Sequence, residues 1–154
     1  MELEREIAFC LEAASPEEAR ELLAQPDRAL ARLEAFEDLK LQGDVLQGAL
    51  AATVALLGKV RFPFRSRFAP GEAGARLEAL APEAGELSAR LSGRSWLEGS
   101  RVCYDARVRL CARLPEGEKW GGRAFRKMAE AAFARALERT LASTDRRADA
   151  GLLD

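Results

Sequence analysis

The chain contains no histidine. That removes the commonest metal ligand and general base together, and excludes catalytic triads, zinc sites and acid/base schemes that depend on it. Long apolar runs are missing too. No stretch approaches the roughly eighteen residues a membrane-spanning helix needs, and the opening MELEREIAF is acidic where a secretory leader is basic. A cytoplasmic protein without a transmembrane segment is expected. No GxGxxG, and no GxxxxGK followed by Ser or Thr, joins a strand to a helix, so nucleotide binding of those kinds is not indicated. Cysteines number three. Cys103 and Cys111 fall on one expected strand, where eight residues separate them by roughly 26 Å, so that pair cannot form a disulfide and a reducing compartment fits.

What is present suits a single globular domain. The 154 residues are 48% hydrophobic and 32% charged, enough for a core without metal or disulfide staples. The net charge of −1 hides a gradient: residues 1–57 hold 12 acids and 5 bases, residues 58–154 hold 13 acids and 19 bases. Such asymmetry suits either a polyanion partner or two halves that neutralise each other in the fold.

From Glu2 to Ala13, Leu3, Ile7, Phe9 and Leu11 share one parity and four glutamates the other, the period of a strand with one wet face. Ser15-Pro16-Glu17-Glu18 reads as a helix start with a serine cap, proline in the first turn and a glutamate placed for a capping box. Pro26 ends that helix, and a second short one follows to Leu33. Six more strands are expected: Phe36–Gln42, Val45–Leu57, Val60–Phe68, Arg76–Ala81, Glu86–Leu97 and Ser100–Leu114. From Lys119 to about Ser143 the period lengthens to that of a helix, with Phe125, Met128, Ala129, Ala132, Phe133 and Ala136 on one side. The domain is thus placed at residues 1–143, with a polar, flexible tail at 144–154. The pattern is α+β: a seven-stranded curved antiparallel sheet wrapped around a long C-terminal helix, with two short helices after strand one.

Three stretches resemble a known superfamily. SPEEARELLAQPDRALARL, LLGKVRFPFRSRF, and SRVCYDARVRL followed by GGRAFRKMAEAAFARALERTL are similar to the helix-grip fold of the START-like, or SRPBCC, superfamily, most closely its carbon monoxide dehydrogenase G branch. The turn glycine is Gly58, but Lys59 stands where that branch has proline. The resemblance implies a cavity between sheet and helix for lipids, sterols, quinones or polyketides, and for that branch an accessory role to molybdenum hydroxylases. It brings no common catalytic residues and no cofactor.

In VRFPFRSRF, Phe62, Phe64 and Phe68 share one face of a strand and Arg61, Arg65 and Arg67 the other. A single-strand nucleic-acid platform needs rings and charges in one groove. Their opposition argues against nucleic acid and for an apolar interior. On the last strand Tyr104 and Val108 face in while Arg107 and Arg109 face out. The expected ligand-binding set is therefore Phe62, Phe64, Phe68, Tyr104, Val108, Phe125, Met128 and Phe133. A plain core explains the same residues, but the helix alanines and the Tyr104 hydroxyl favour a cavity. Arg61, Arg65, Arg67, Arg107 and Arg109 would form an outer basic stripe suited to anionic lipid headgroups or an acidic protein. Arg5, and Asp38 or Lys40, are the ionisable residues whose parity points inward. Trp96 and Trp120 are expected to plug cavity ends. Val45–Leu57 is apolar on both parities, which suggests that Leu46, Leu50, Val54 and Leu56 meet a second copy or a protein partner. The expected function is non-catalytic binding of a hydrophobic or amphipathic small molecule; the alternative is an interaction module with a filled core. An enzyme is disfavoured by the shortage of inward acids.

Overall fold

The computed structural model describes residues 2–54, 58–82, 85, 87–112, 127, 131, 132, 135 and 139. In chain order these give β1 (Glu2–Glu12), α1 (Pro16–Ala24), α2 (Pro26–Leu30), β2 (Phe36–Gln42), β3 (Val45–Val54), β4 (Gly58–Gly71), β5 (Gly74–Ala79), β6 (Leu87–Glu98) and β7 (Arg101–Ala112). The strands form one curved antiparallel sheet in the order β1-β7-β6-β5-β4-β3-β2. Chain neighbours pair everywhere except at one place: after two helices the chain returns at the far edge, and β1 is left to pair with the last strand, from Glu2 opposite Cys111 to Glu12 opposite Arg101.

Alternation decides which side is inside. Ile7, Phe9 and Leu11 of β1, Phe62, Phe64 and Phe68 of β4, and the even-numbered residues Val102 to Ala112 of β7 are all buried and belong to one apolar cluster. The helices serve that face. The Ser15 hydroxyl accepts from the Glu18 backbone N–H at 3.1 Å, and the Glu18 carboxylate reaches back to the Ala14 N–H at 2.8 Å, a capping box displaced by one residue. With its start fixed, α1 buries Ala19 and Leu22, and α2 buries Pro26, Ala29 and Leu30, beneath the same sheet. Near the C-terminus Lys127, Ala131, Ala132, Arg135 and Arg139 are helical; Ala132 packs against the core and the other four are exposed. The extent of the expected C-terminal helix, Trp120, and the tail at 144–154 lie outside the described residues.

Two readings of the sequence are corrected by strand geometry. The pairing of β2 with β3 shifts between Glu37 and Lys40, and Asp38 there has φ of 52°. Such a bulge reverses the parity beyond it. Leu39 and Leu41 consequently turn to the core, while Asp38 and Lys40 are exposed rather than inward. A Cβ at Gly48 would stand 2.7 Å from Leu39 and 3.0 Å from the Glu37 carbonyl, so glycine is what lets β3 pass the bulge. The second correction concerns cysteine. Cys103 and Cys111 are not bonded to each other, but Cys103 is bonded to Cys10, directly opposite it on β1, and Cys111 is free. That bond deprives the cysteine count of its force as an argument for a reducing compartment.

The acidic and basic halves meet in the sheet. Arg107 engages Glu4 at 3.2 Å and Glu6 at 2.9 Å, Arg67 lies 3.5 Å from Asp44, and Arg61 and Lys59 pair with Glu37, Arg61 also with Asp38. Exposed pairs of this kind add little stability each, but they cancel the charge gradient locally.

Gly93 of β6 sits where β7 comes closest. A Cβ there would stand 2.4 Å from the Asp105 carbonyl oxygen and 2.7 Å from the Ala106 Cα, both backbone atoms that cannot swing aside. Gly93→Ala is expected to lower the unfolding free energy by about 2 kcal/mol or more, read as a fall in the urea midpoint. The Gly43→Ala control has open space around the new methyl and strains only its turn, so it should cost about 1 kcal/mol.

Candidate functional site

The inner face is the site the fold builds. Of the expected ligand-binding residues, Phe62, Phe64, Phe68, Tyr104 and Val108 all lie on it and are buried. Phe125, Met128 and Phe133 lie outside the described residues. Phe64 meets Phe36 of β2 edge to face, with ring centroids 6.0 Å apart. On the other flank Phe9 of β1 stacks on Tyr104 at 5.2 Å, the rings within 11° of parallel. Phe9, Phe36 and Ser95 are members of this lining that the sequence does not single out. Their parity is legible, but their neighbours depend on strand order.

Polar atoms on this face are few among the described residues. Ser66 is fully buried and donates its hydroxyl proton to the Leu91 carbonyl at 2.6 Å, a link that ties β4 to β6. Arg5, on the inner parity of β1, donates to the Glu4 carbonyl at 2.8 Å. Tyr104 is different. It is 3% exposed, and its hydroxyl has no hydrogen-bond partner among the described residues. Burial pushes the phenol's pKa well above its ordinary value; the Ser95 side chain, opposite it on β6, works against the rise, and the charge of Asp27 on α2 adds to it. With Asp38 and Lys40 turned outward by the bulge, Arg5 and Tyr104 are the ionisable residues among the described ones on the inner parity of the strands.

Three expectations outside the ligand-binding set are corrected. Leu46 and Leu50, expected at an interface, are 0% and 3% exposed and belong to the chain's own core; Val54's side chain and Leu56 lie outside the described residues. The opposite parity of β3 is kept apolar by small residues, Ala49 and Ala51, where Ala49 lines a cleft of about 390 Å³ with Gln47, Pro63, Arg65 and Ser88. The arginines of β4 and β7 do not adjoin: β5 and β6 lie between them and carry Arg76, Arg90 and Arg94 on the same outer face, with Arg76 opposite Arg94 and Arg90 opposite Arg109. Arg61, Arg67, Arg107 and Arg109 each face a carboxylate of the N-terminal half. Trp96, finally, plugs no cavity end: it sits on the outer parity of β6 beside Cys103, its indole N–H donating to Glu98 at 3.1 Å.

Residues 8–142 match the family described as "Protein of unknown function (DUF3809)". The chain belongs to that family. No curated protein matches it. Among solved structures it is similar to TTHA0849 from Thermus thermophilus, at TM-score 0.48 and 22% identity over 97% of this chain and 98% of that one. It is also similar to the Zhui aromatase/cyclase from Streptomyces sp. R1128, at TM-score 0.45 and 17% identity over 96% and 90% of the two chains. The di-domain ARO/CYC BexL from the BE-7585A biosynthetic pathway aligns at TM-score 0.43 and 12% identity, over 95% of this chain and 50% of that one.

Tyr104 is the chain's sole tyrosine, so phenolate absorbance reports it alone. The unfolded chain ionises near pH 10, whereas the folded chain holds the phenol neutral. Stability is therefore full below about pH 10 and falls above it by up to about 1.4 kcal/mol per pH unit. In a spectroscopic titration the phenolate signal should appear only with unfolding. Tyr104→Phe should flatten that alkaline limb and, by removing a buried hydroxyl that has no partner among the described residues, raise the stability of the free protein by about 1 kcal/mol at neutral pH.

Proposed function

We propose that this protein binds one small hydrophobic or amphipathic molecule against the inner face of its sheet and does so without catalysis. The observation that carries the proposal is the Tyr104 hydroxyl. A buried hydroxyl without a partner costs about 1 to 3 kcal/mol, and a phenylalanine would fill the same space without that cost. A ligand oxygen, from a quinone, a ketone or a lipid hydroxyl, supplies the missing partner, while Phe9, Phe62 and Phe64 supply apolar contact. The scarcity of ionisable groups on this face supports binding over chemistry, since acid/base and nucleophilic schemes need side chains that titrate or attack.

The arrangement of seven strands, with two short helices between the first and second, agrees with a START-like, SRPBCC placement of the family. The carbon monoxide dehydrogenase branch stands as a resemblance in strand pattern, and a cytoplasmic location as part of the same proposal. A partner or second copy would dock elsewhere than on Leu46 and Leu50, which are used in the core.

The test is a fluorescence titration with anilinonaphthalene sulfonate, followed by displacement with a soluble naphthoquinone. Saturable binding with one site per chain is expected. Phe64→Trp should weaken both probes at least about tenfold by filling the space. Tyr104→Phe, which does not perturb packing, should weaken the quinone about fivefold, the loss of one hydrogen bond. Folded variants that bind both probes like the parent would overturn the assignment.

A further inference from the structure

The outer face holds a second cluster, independent of the inner one. Cys10 and Cys103 stand directly opposite each other on β1 and β7, and Glu98, at the end of β6, projects to the same side. One ligand atom from each, the two sulfurs and a carboxylate oxygen, lie within 4.8 Å of one another. The three come from three adjacent strands, so their spacing is set by the hydrogen-bonded ladder and not by a flexible loop.

The carboxylate is oriented from behind. The Trp96 indole N–H donates to Glu98 Oε1 at 3.1 Å, and the Arg94 guanidinium, 5.3 Å from the centre of the Trp96 ring, holds the indole in turn. A hydrogen-bonded support of this kind is what fixes a ligating side chain in a metal site. Exposure is graded across the cluster: Cys103 is 1% exposed, Cys10 half-buried and Glu98 exposed, so the cluster opens toward water on the glutamate side. Of the cations beside the cluster, Arg101, opposite Glu98 on β7, lies 3.8 Å from Glu12, and Arg94 lies 3.7 Å from Asp105.

We propose that the reduced Cys10–Cys103 pair, together with Glu98, binds a thiophilic divalent cation, zinc by preference. Two thiolates and one carboxylate satisfy three positions of a tetrahedral ion and leave the fourth for water, and thiolate ligands select zinc or its surrogates over magnesium and calcium. The bonded and metal-binding forms exclude each other. Reduction breaks the sulfur–sulfur bond with two electrons and two protons, giving two thiols; the cation then displaces both thiol protons to solvent. With a phosphine as reductant, the electrons come from phosphorus, which leaves as the phosphine oxide with an oxygen from water.

Cobalt(II) is the probe, because thiolate coordination gives it a charge-transfer band and tetrahedral geometry gives it intense visible bands. A Cys111→Ser background removes the remaining thiol. In that background the phosphine-reduced protein should take up one cobalt per chain with both features, and added zinc should bleach them. The oxidised protein and Cys10→Ser should show no charge-transfer band, and Glu98→Gln should bind at least about tenfold more weakly. No cobalt spectrum in the reduced protein, or an unchanged affinity in Glu98→Gln, would overturn the site.

Discussion

A sheet of seven strands with one apolar face has to keep that face from water, and the rest of this structure follows from that need. The strands alternate so regularly that the inner side carries phenylalanine, leucine, isoleucine and valine while the outer side carries most of the charge. Covering the inner side requires segments that the sheet itself does not supply. The chain provides them between its first two strands, as two short helices that each begin with proline, and again near its end, where Ala132 reaches the core. The pairing of β1 with β7 extends the same logic. It places the acidic N-terminal strand beside a basic C-terminal one, so part of the charge gradient becomes a set of ion pairs across the outer face.

Among the described residues, the inner parity of the sheet carries two ionisable side chains, Arg5 and Tyr104. One hydroxyl, that of Tyr104, lies on it without a partner among the described residues. A filled core would be better served by phenylalanine at that position, because the ring contacts with Phe9 would survive and the desolvated hydroxyl would be gone. In the proposed function, a ligand oxygen is the partner of this hydroxyl. The outer face carries the contrasting chemistry: two sulfurs, a carboxylate and a positioned indole, none of which the inner face needs.

Much of this was legible in the sequence where period alone decides. The alternation in VRFPFRSRF and in SRVCYDARVRL assigned inner and outer sides correctly, as did the serine cap for the start of the first helix. Legibility failed where the answer depends on register. Nothing in FEDLKLQ announces the bulge at Asp38, and parity counted through it pointed Asp38 and Lys40 the wrong way. Gly48, mid-strand on the neighbouring strand, was the available clue. Strand order was equally invisible, so the Cys10–Cys103 pairing, the separation of the two arginine sets and the place of Trp96 could not be read. The double apolar parity of Val45–Leu57 misled for another reason: one side is core and the other is small alanines, which a hydrophobicity pattern does not distinguish from an interface.

The most direct measurement is the native mass of the protein purified without denaturation from the cells that make it, beside a mass spectrum of its organic-solvent extract. The account predicts a mass above that of the chain by one equivalent of a nonpolar molecule bearing at least one oxygen, and the same molecule in the extract. A native mass equal to that of the chain, with an empty extract, would contradict it.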